Sequence, residues 1–189
     1  MSIASLPFHD GRSIPQLGYG VFKVEPDIAA DVTAQALAAG YRHIDTAKAY
    51  DNEEGVGRAI AESGIAREDL FVTTKLWNDA HAFDDAIAAC EASLERLGLD
   101  YLDLYLVHWA VPAQGRYVEA WKALIALQER GLVRSIGVSN FPRPQLERDM
   151  RDVVHFAMGE KQDKALDSAH AALSEYAAMI GRMIALLAL

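Results

Sequence analysis

Only one cysteine, Cys90, stands among the 189 residues. A single thiol cannot close an internal disulfide, and this one falls on an apolar position of a helical pattern. A buried thiol and a reducing compartment follow. No stretch approaches the roughly 18 consecutive apolar residues of a membrane span. The nearest, 176–189, is too short and contains Arg182. The opening MSIASLPFHDGRS has neither the basic region nor the long apolar region of a signal peptide, so a cytoplasmic location is expected. Positive charge is also scarce. Lys and Arg number 18 against 27 Asp and Glu, for a net charge of −9. That balance argues against nucleic acid and anionic membranes as partners, while leaving room for a local basic pocket. Gly18 and Gly20 lack the third glycine and the immediate helix of a dinucleotide fingerprint. There is no Gly-x-Ser-x-Gly elbow, which disfavours a hydrolase, and no metal-ligand pattern.

What is present is an ordinary globular composition, 51% hydrophobic and 24% charged, long enough for one full core. Asp10-Gly11 lies between two short apolar pieces and reads as a hairpin turn. A strand follows over 17–21. Four helices are then expected. The first starts after Pro26 and stops at Gly40; the second starts at Asn52 as its cap, with Glu53 and Glu54 in its first turn, and stops at Gly64. The third places Ile87, Cys90, Leu94 and Leu97 on one face and stops at Gly98. The fourth does the same with Val118, Trp121, Leu124 and Ile125, and stops at Gly131. Each glycine stop leads within a few residues into an apolar run. Five strands alternating with amphipathic helices predict a parallel sheet with right-handed crossovers.

One stretch organises the rest: GYRHIDTAKAYDNEEGVG at 40–57. Its strand ends in Asp45 and its loop carries Tyr50. Lys75 ends the next strand, His108 the one after, and Asn140 the last, at intervals of 30, 33 and 32 residues. A βα unit occupies about 30 residues, so one polar residue per unit falls at the same end of the sheet. That end is where α/β folds place chemistry. Taken singly, each is unremarkable. An aspartate after a strand is often a cap, a loop tyrosine is often partly buried, and a lysine closing a strand is often solvated. A histidine between Val107 and Trp109 is often a hydrogen-bonded core residue. Four in register are harder to ascribe to coincidence.

The set suits proton transfer to a carbonyl oxygen. A phenol is a weak acid near neutrality, but an ammonium within reach favours its ionised form. An aspartate paired to the lysine would hold that ammonium in place, and a histidine could orient the substrate oxygen. The set contains neither nucleophile nor reductant, so a hydride-donating cofactor is required. Ser139 and Asn140, at the end of the fifth strand, could grip an amide such as a nicotinamide carboxamide.

The sequence resembles the aldo-keto reductases. GYRHIDTAKAYDNEEGVG looks like one signature of that family and RSIGVSNF at 134–141 like its second; KLWND and LVHW also match. Within the family the resemblance is to bacterial 2,5-diketo-gluconate reductase-like enzymes, and it covers about residues 7–147. It implies a (β/α)8 barrel and NADPH-dependent reduction of aldehydes and ketones. It also implies Tyr50 as general acid, Lys75 and Asp45 tuning it, and His108 orienting the carbonyl. Ser139 and Asn140 would be nicotinamide ligands, and Phe22, Trp77 and Trp109, beside His108, the walls of the substrate pocket.

The later family pieces are not legible in this sequence: the Asn-Gln sixth strand, the aromatic stacking on nicotinamide, and the Pro-Lys-Ser loop for the adenosine phosphate. The expected fold is therefore an incomplete (β/α)8 TIM barrel of about five βα units over 1–147, followed by a helical tail over 148–189 that does not resemble the family. That tail is expected to hold one helix ending at Gly159. A final helix follows with Leu166, Ala169, Leu173, Tyr176, Ile180, Met183 and Leu187 as a heptad-like seam. Cofactor affinity in the millimolar range is the corresponding expectation. Unpaired strand edges need partners, which the tail helices could supply by packing on their own domain, the favoured alternative, or which self-association through the open barrel edge or the tail helix could supply instead. The reading set against catalysis is a half-barrel acting as an interaction subunit through its tail.

Overall fold

The computed structural model describes residues 4–8 and 11–141. Strands β1 (Ser5–Pro7) and β2 (Ser13–Pro15) form an antiparallel hairpin, with Gly11 at φ +82° in its connection. The remaining strands are β3 (Tyr19–Gly20), β4 (His43–Asp45), β5 (Phe71–Leu76), β6 (Leu102–Val107) and β7 (Val133–Val138). They make one parallel sheet in the order β3-β4-β5-β6-β7, each strand beside the one before it in sequence. Between them run α1 (Ala29–Ala38), α2 (Glu53–Glu62), α3 (Phe83–Leu97) and α4 (Tyr117–Glu129). The five expected strands and four helices are all present, in the arrangement of part of an α/β barrel. Among the described residues neither β3 nor β7 has a strand on its outer side. The tail helices expected after Asn140, with their seam, lie outside the described residues.

The two faces of the sheet carry different chemistry. Thr74 of β5 bonds to Glu53 of α2, so the even positions of β5 face the helices and the odd ones face inward. Inward lie Leu104 and Leu106, packed with Ile14 of the hairpin and with Leu6, Phe8 and Phe71. The hairpin thus closes one end of the inward face with apolar side chains. The opposite end is the one that bears Asp45, Lys75 and His108. β6 is buried along its whole length, which explains its nearly continuous apolar sequence.

Four local expectations need correction. Helix α1 starts at Ala29, three residues beyond Pro26, because residues 25–28 form a turn in which Ile28 N–H donates to the Glu25 carbonyl. Asn52 sits at the cap position of α2 but makes no side-chain bond to that helix, its amide being engaged elsewhere. Helix α4 buries Ala120, Ala123, Leu124 and Leu127, whereas Val118, Trp121 and Ile125 are only half-buried. Small alanines let the helix approach the sheet closely, so size was a poor guide to its inner face. Ile87 of α3 is likewise half-buried, while Ala86, Cys90, Leu94 and Leu97 form its packed face.

Candidate active site

Strand stagger brings the polar strand ends together. On β4, His43 pairs in register with Phe71 and Asp45 with Thr73. Their side chains reach one step further along β5: His43 Nε2 lies 3.1 Å from Thr73 Oγ1, and Asp45 Oδ1 accepts from Lys75 Nζ at 2.5 Å. Such diagonal contacts are normal between staggered neighbouring strands. Lys75 is buried rather than solvated, and the sheet compensates its charge. Besides the Asp45 carboxylate, the ammonium donates to the Thr46 carbonyl at 2.9 Å and lies 3.5 Å from Tyr50 Oη. Tyr50 itself comes from a short 3₁₀ turn, Lys48–Tyr50, after β4, which ends at Asp51 with φ +55°.

His108 follows β6, and its N–H donates to the Leu76 carbonyl at 3.1 Å. Its ring centroid is 5.7 Å from that of Tyr50 and 5.1 Å from that of Trp77, both edge-on. Burial, reinforced by the Lys75 charge and opposed by Asp45, pushes the imidazole down to about 4. It is therefore neutral at pH 7. Its Nδ1 is buried without a hydrogen-bond partner, an unusual state for a buried polar atom.

Aromatic side chains surround this group. Phe22, from the turn after β3, lies 5.1 Å from the Tyr50 ring and is 63% exposed. Trp109 stacks at 6.3 Å on His108 and is 45% exposed. Large apolar surfaces left this open beside buried polar groups are characteristic of ligand sites. At the end of β7, Ser139 N–H donates to the Val107 carbonyl at 2.8 Å. Asn140, in the left-handed region at φ +57°, donates from Nδ2 to the His108 carbonyl at 3.0 Å and to Ser139 Oγ at 2.9 Å. The candidate residues Phe22, Asp45, Tyr50, Lys75, Trp77, His108, Trp109, Ser139 and Asn140 therefore meet at one end of the sheet.

Several contributors were not visible in the sequence. The Thr46 carbonyl is a main-chain ligand of Lys75, which no residue type announces. His43 lies beneath Asp45, its basicity lowered chiefly by burial, and its ring explains Gly18: a Cβ there would sit 2.5 Å from His43 Nδ1. Gly20 has open space around it, so close approach accounts for only one of the two glycines. His81, in the loop after β5, is buried with neither ring nitrogen bonded and is likewise held neutral by burial. Among the described residues no cluster of His, Cys, Asp or Glu could hold a metal ion, and no helix is long and apolar enough to cross a membrane.

Comparison with known proteins gives this geometry a context. The sequence model of the Aldo/keto reductase family matches residues 16–179, running past residue 147 into the tail expected not to resemble the family. The methylglyoxal reductase DkgA of Salmonella typhimurium is 55% identical over 139 residues, covering 74% of this chain and 50% of that protein. A crystal structure of an aldo/keto reductase from Brucella melitensis superposes with a TM-score of 0.77 at 51% identity, over 80% of this chain and 59% of that one. A Bombyx mori aldo-keto reductase in complex with NADP gives a TM-score of 0.72 at 42% identity, covering 78% of this chain and 54% of that one. The chain spans about half the length of the curated relatives it matches.

Proposed function

The chain belongs to the aldo/keto reductase family, and from that premise we propose that it reduces small aldehydes and ketones to alcohols with NADPH, with Tyr50 as the proton donor. The observation that carries this is the Lys75 ammonium, ion-paired to Asp45 at 2.5 Å and standing 3.5 Å from Tyr50 Oη. A phenol that gives its proton to a carbonyl oxygen becomes a phenolate, and an ammonium fixed beside it stabilises that charge as it forms. Asp45 and the Thr46 carbonyl keep the ammonium from swinging away. His108, uncharged at neutral pH, can donate one ring N–H to the same oxygen without competing for the proton. With Nδ1 buried, Nε2 is the nitrogen left for that role. Phe22, Trp77 and Trp109 offer apolar walls that exclude water from the reacting group.

NADPH, when bound, supplies the hydride. The donor set at the end of β7 suits its carboxamide: a hydroxyl on Ser139 and an exposed side-chain amide on Asn140, next to His108. Two hydrogen bonds of about 1 kcal/mol each fall well short of the roughly 8 kcal/mol of micromolar binding. The reading therefore includes weak cofactor binding, in the millimolar range, unless residues outside 4–141 contribute. The name of the Salmonella relative makes methylglyoxal the first substrate to try. The test is NADPH oxidation with methylglyoxal, comparing the parent chain with Tyr50→Phe. Turnover that falls at least about a hundredfold in the variant, with unchanged circular dichroism, is the expected result. Equal turnover in both would remove Tyr50 from the mechanism. A folded parent with no turnover and no change in NADPH fluorescence would favour a non-catalytic half-barrel instead.

A further inference from the structure

Asn52 stands where an asparagine ordinarily accepts from the first amides of a helix. Its side chain makes no such bond. It is 1% exposed and bonds to two other segments of the chain. Oδ1 accepts from Thr46 Oγ1 at 2.8 Å, while Nδ2 donates to the Val21 carbonyl at 2.9 Å and to the Val24 carbonyl at 3.0 Å. Those two carbonyls end the tight turn that carries Phe22. Within that turn Val24 N–H donates to the Val21 carbonyl at 3.1 Å, and Lys23 is held at φ +61°. A lysine adopts that left-handed conformation only when its surroundings impose it. On the other side, Thr46 is the residue whose carbonyl receives the Lys75 ammonium.

We infer that Asn52 is a positioning residue for the site: its amide clamps both ends of the Val21–Val24 turn, and this holds Phe22 against the Tyr50 ring. Only a primary amide of this length offers two N–H donors and an acceptor from one atom pair. An aspartate keeps the acceptor for Thr46 but turns a negative oxygen toward two carbonyls. A serine is too short to reach them. Both are nevertheless about as good as asparagine at starting a helix. A role confined to beginning α2 therefore predicts that both variants behave like the parent.

The experiment measures amide hydrogen exchange at Val24 in the full chain, for the parent, Asn52→Asp and Asn52→Ser. Losing two hydrogen bonds should speed that exchange at least about tenfold in both variants, with helical circular dichroism retained. Exchange within about threefold of the parent in Asn52→Asp, or in Asn52→Ser if the first variant does not fold, overturns the inference. The kinetic arm rests on the function proposed above. With methylglyoxal, Asn52→Asp should raise KM about tenfold and change kcat less than about threefold, because the Thr46 hydroxyl keeps its acceptor and Lys75 its place. An unchanged KM beside accelerated Val24 exchange would refute the link from turn to substrate wall. If the parent shows no turnover, the proposed reduction fails, and the exchange result still decides what Asn52 does.

Discussion

At the scale of the residue, the candidate site is built from pairs rather than from single groups. Tyr50 and Lys75 are 3.5 Å apart, and the lysine has no other evident chemical task than to face the phenol and Asp45. Residues that act as one unit lose their contribution together, so their effects do not add. Lys75→Met should lower kcat about a hundredfold or more, and the double variant with Tyr50→Phe should be no slower than the worse single variant. Fully additive losses in steady-state kinetics would show that the two act separately. Asp45, Lys75 and His108 were legible because each terminates, or directly follows, an apolar run, and the runs recur at βα spacing; Tyr50 was legible from the loop that follows Asp45. Their partners were not. The Thr46 carbonyl carries no side-chain signature, and Asn52 before Glu53 reads as a cap by every local rule. What diverts its amide is the proximity of a turn 28 to 31 residues away, which only the folded chain supplies.

Elements meet so tightly here that some glycines stand for shape rather than flexibility. A Cβ on Gly57 of α2 would lie 2.4 Å from the Leu97 carbonyl oxygen and 2.8 Å from its Cα, both main-chain atoms of α3. Neither can rotate aside. Gly57→Ala should therefore destabilise the chain by about 2 kcal/mol, whereas Gly20→Ala, with nothing within 4 Å of its Cβ, should change stability by no more than about 0.5 kcal/mol. Urea midpoints of the two variants decide it, and equal midpoints would contradict the close packing of α2 on α3. The same junction holds the Glu53 carboxylate, buried and paired with Arg96 at 2.7 Å, with Thr74 Oγ1 donating to it at 2.6 Å. The sequence placed Glu53 in the first turn of a helix but could not reveal that it faces inward. Strands and helix ends were readable from apolar runs and glycine stops. The inner face of α4 was not, because alanine enables close contact without looking like a core residue.

For the molecule as a whole, the balance of charge and burial makes acid the vulnerable direction. His43, His81 and His108 are each held below the ordinary value of 6.5, in every case chiefly by burial, and His108 reaches about 4. Below pH 6.5 the unfolded chain binds protons that the folded chain resists. Stability is therefore greatest above about 6.5 and falls as pH drops from there, His108 alone contributing up to about 1.4 kcal/mol per pH unit until about 4. Below about 4, His108 is protonated in both states and adds no further loss. The urea midpoint should decline between pH 7 and pH 5, and His108→Gln should flatten that decline. A midpoint independent of pH over this range, or a decline unaltered in the variant, would count against the assignment. The parallel order of β3 to β7 was legible from the βα rhythm, whereas the tail expected over 148–189 lies beyond what the structure describes.

Cys90 lies on the packed face of α3, fully enclosed, and burial raises its thiol to about 12. Only a thiolate attacks a disulfide reagent, displacing its other sulfur, and only where the reagent can arrive. The native chain should thus be inert to such a reagent at neutral pH, and labelling should proceed only through openings that expose α3. With one thiol per chain, the observed rate divided by that of the denatured protein reports the fraction of time this helix is open. Rapid labelling of the folded protein would mean that α3 opens far more readily than its packing implies.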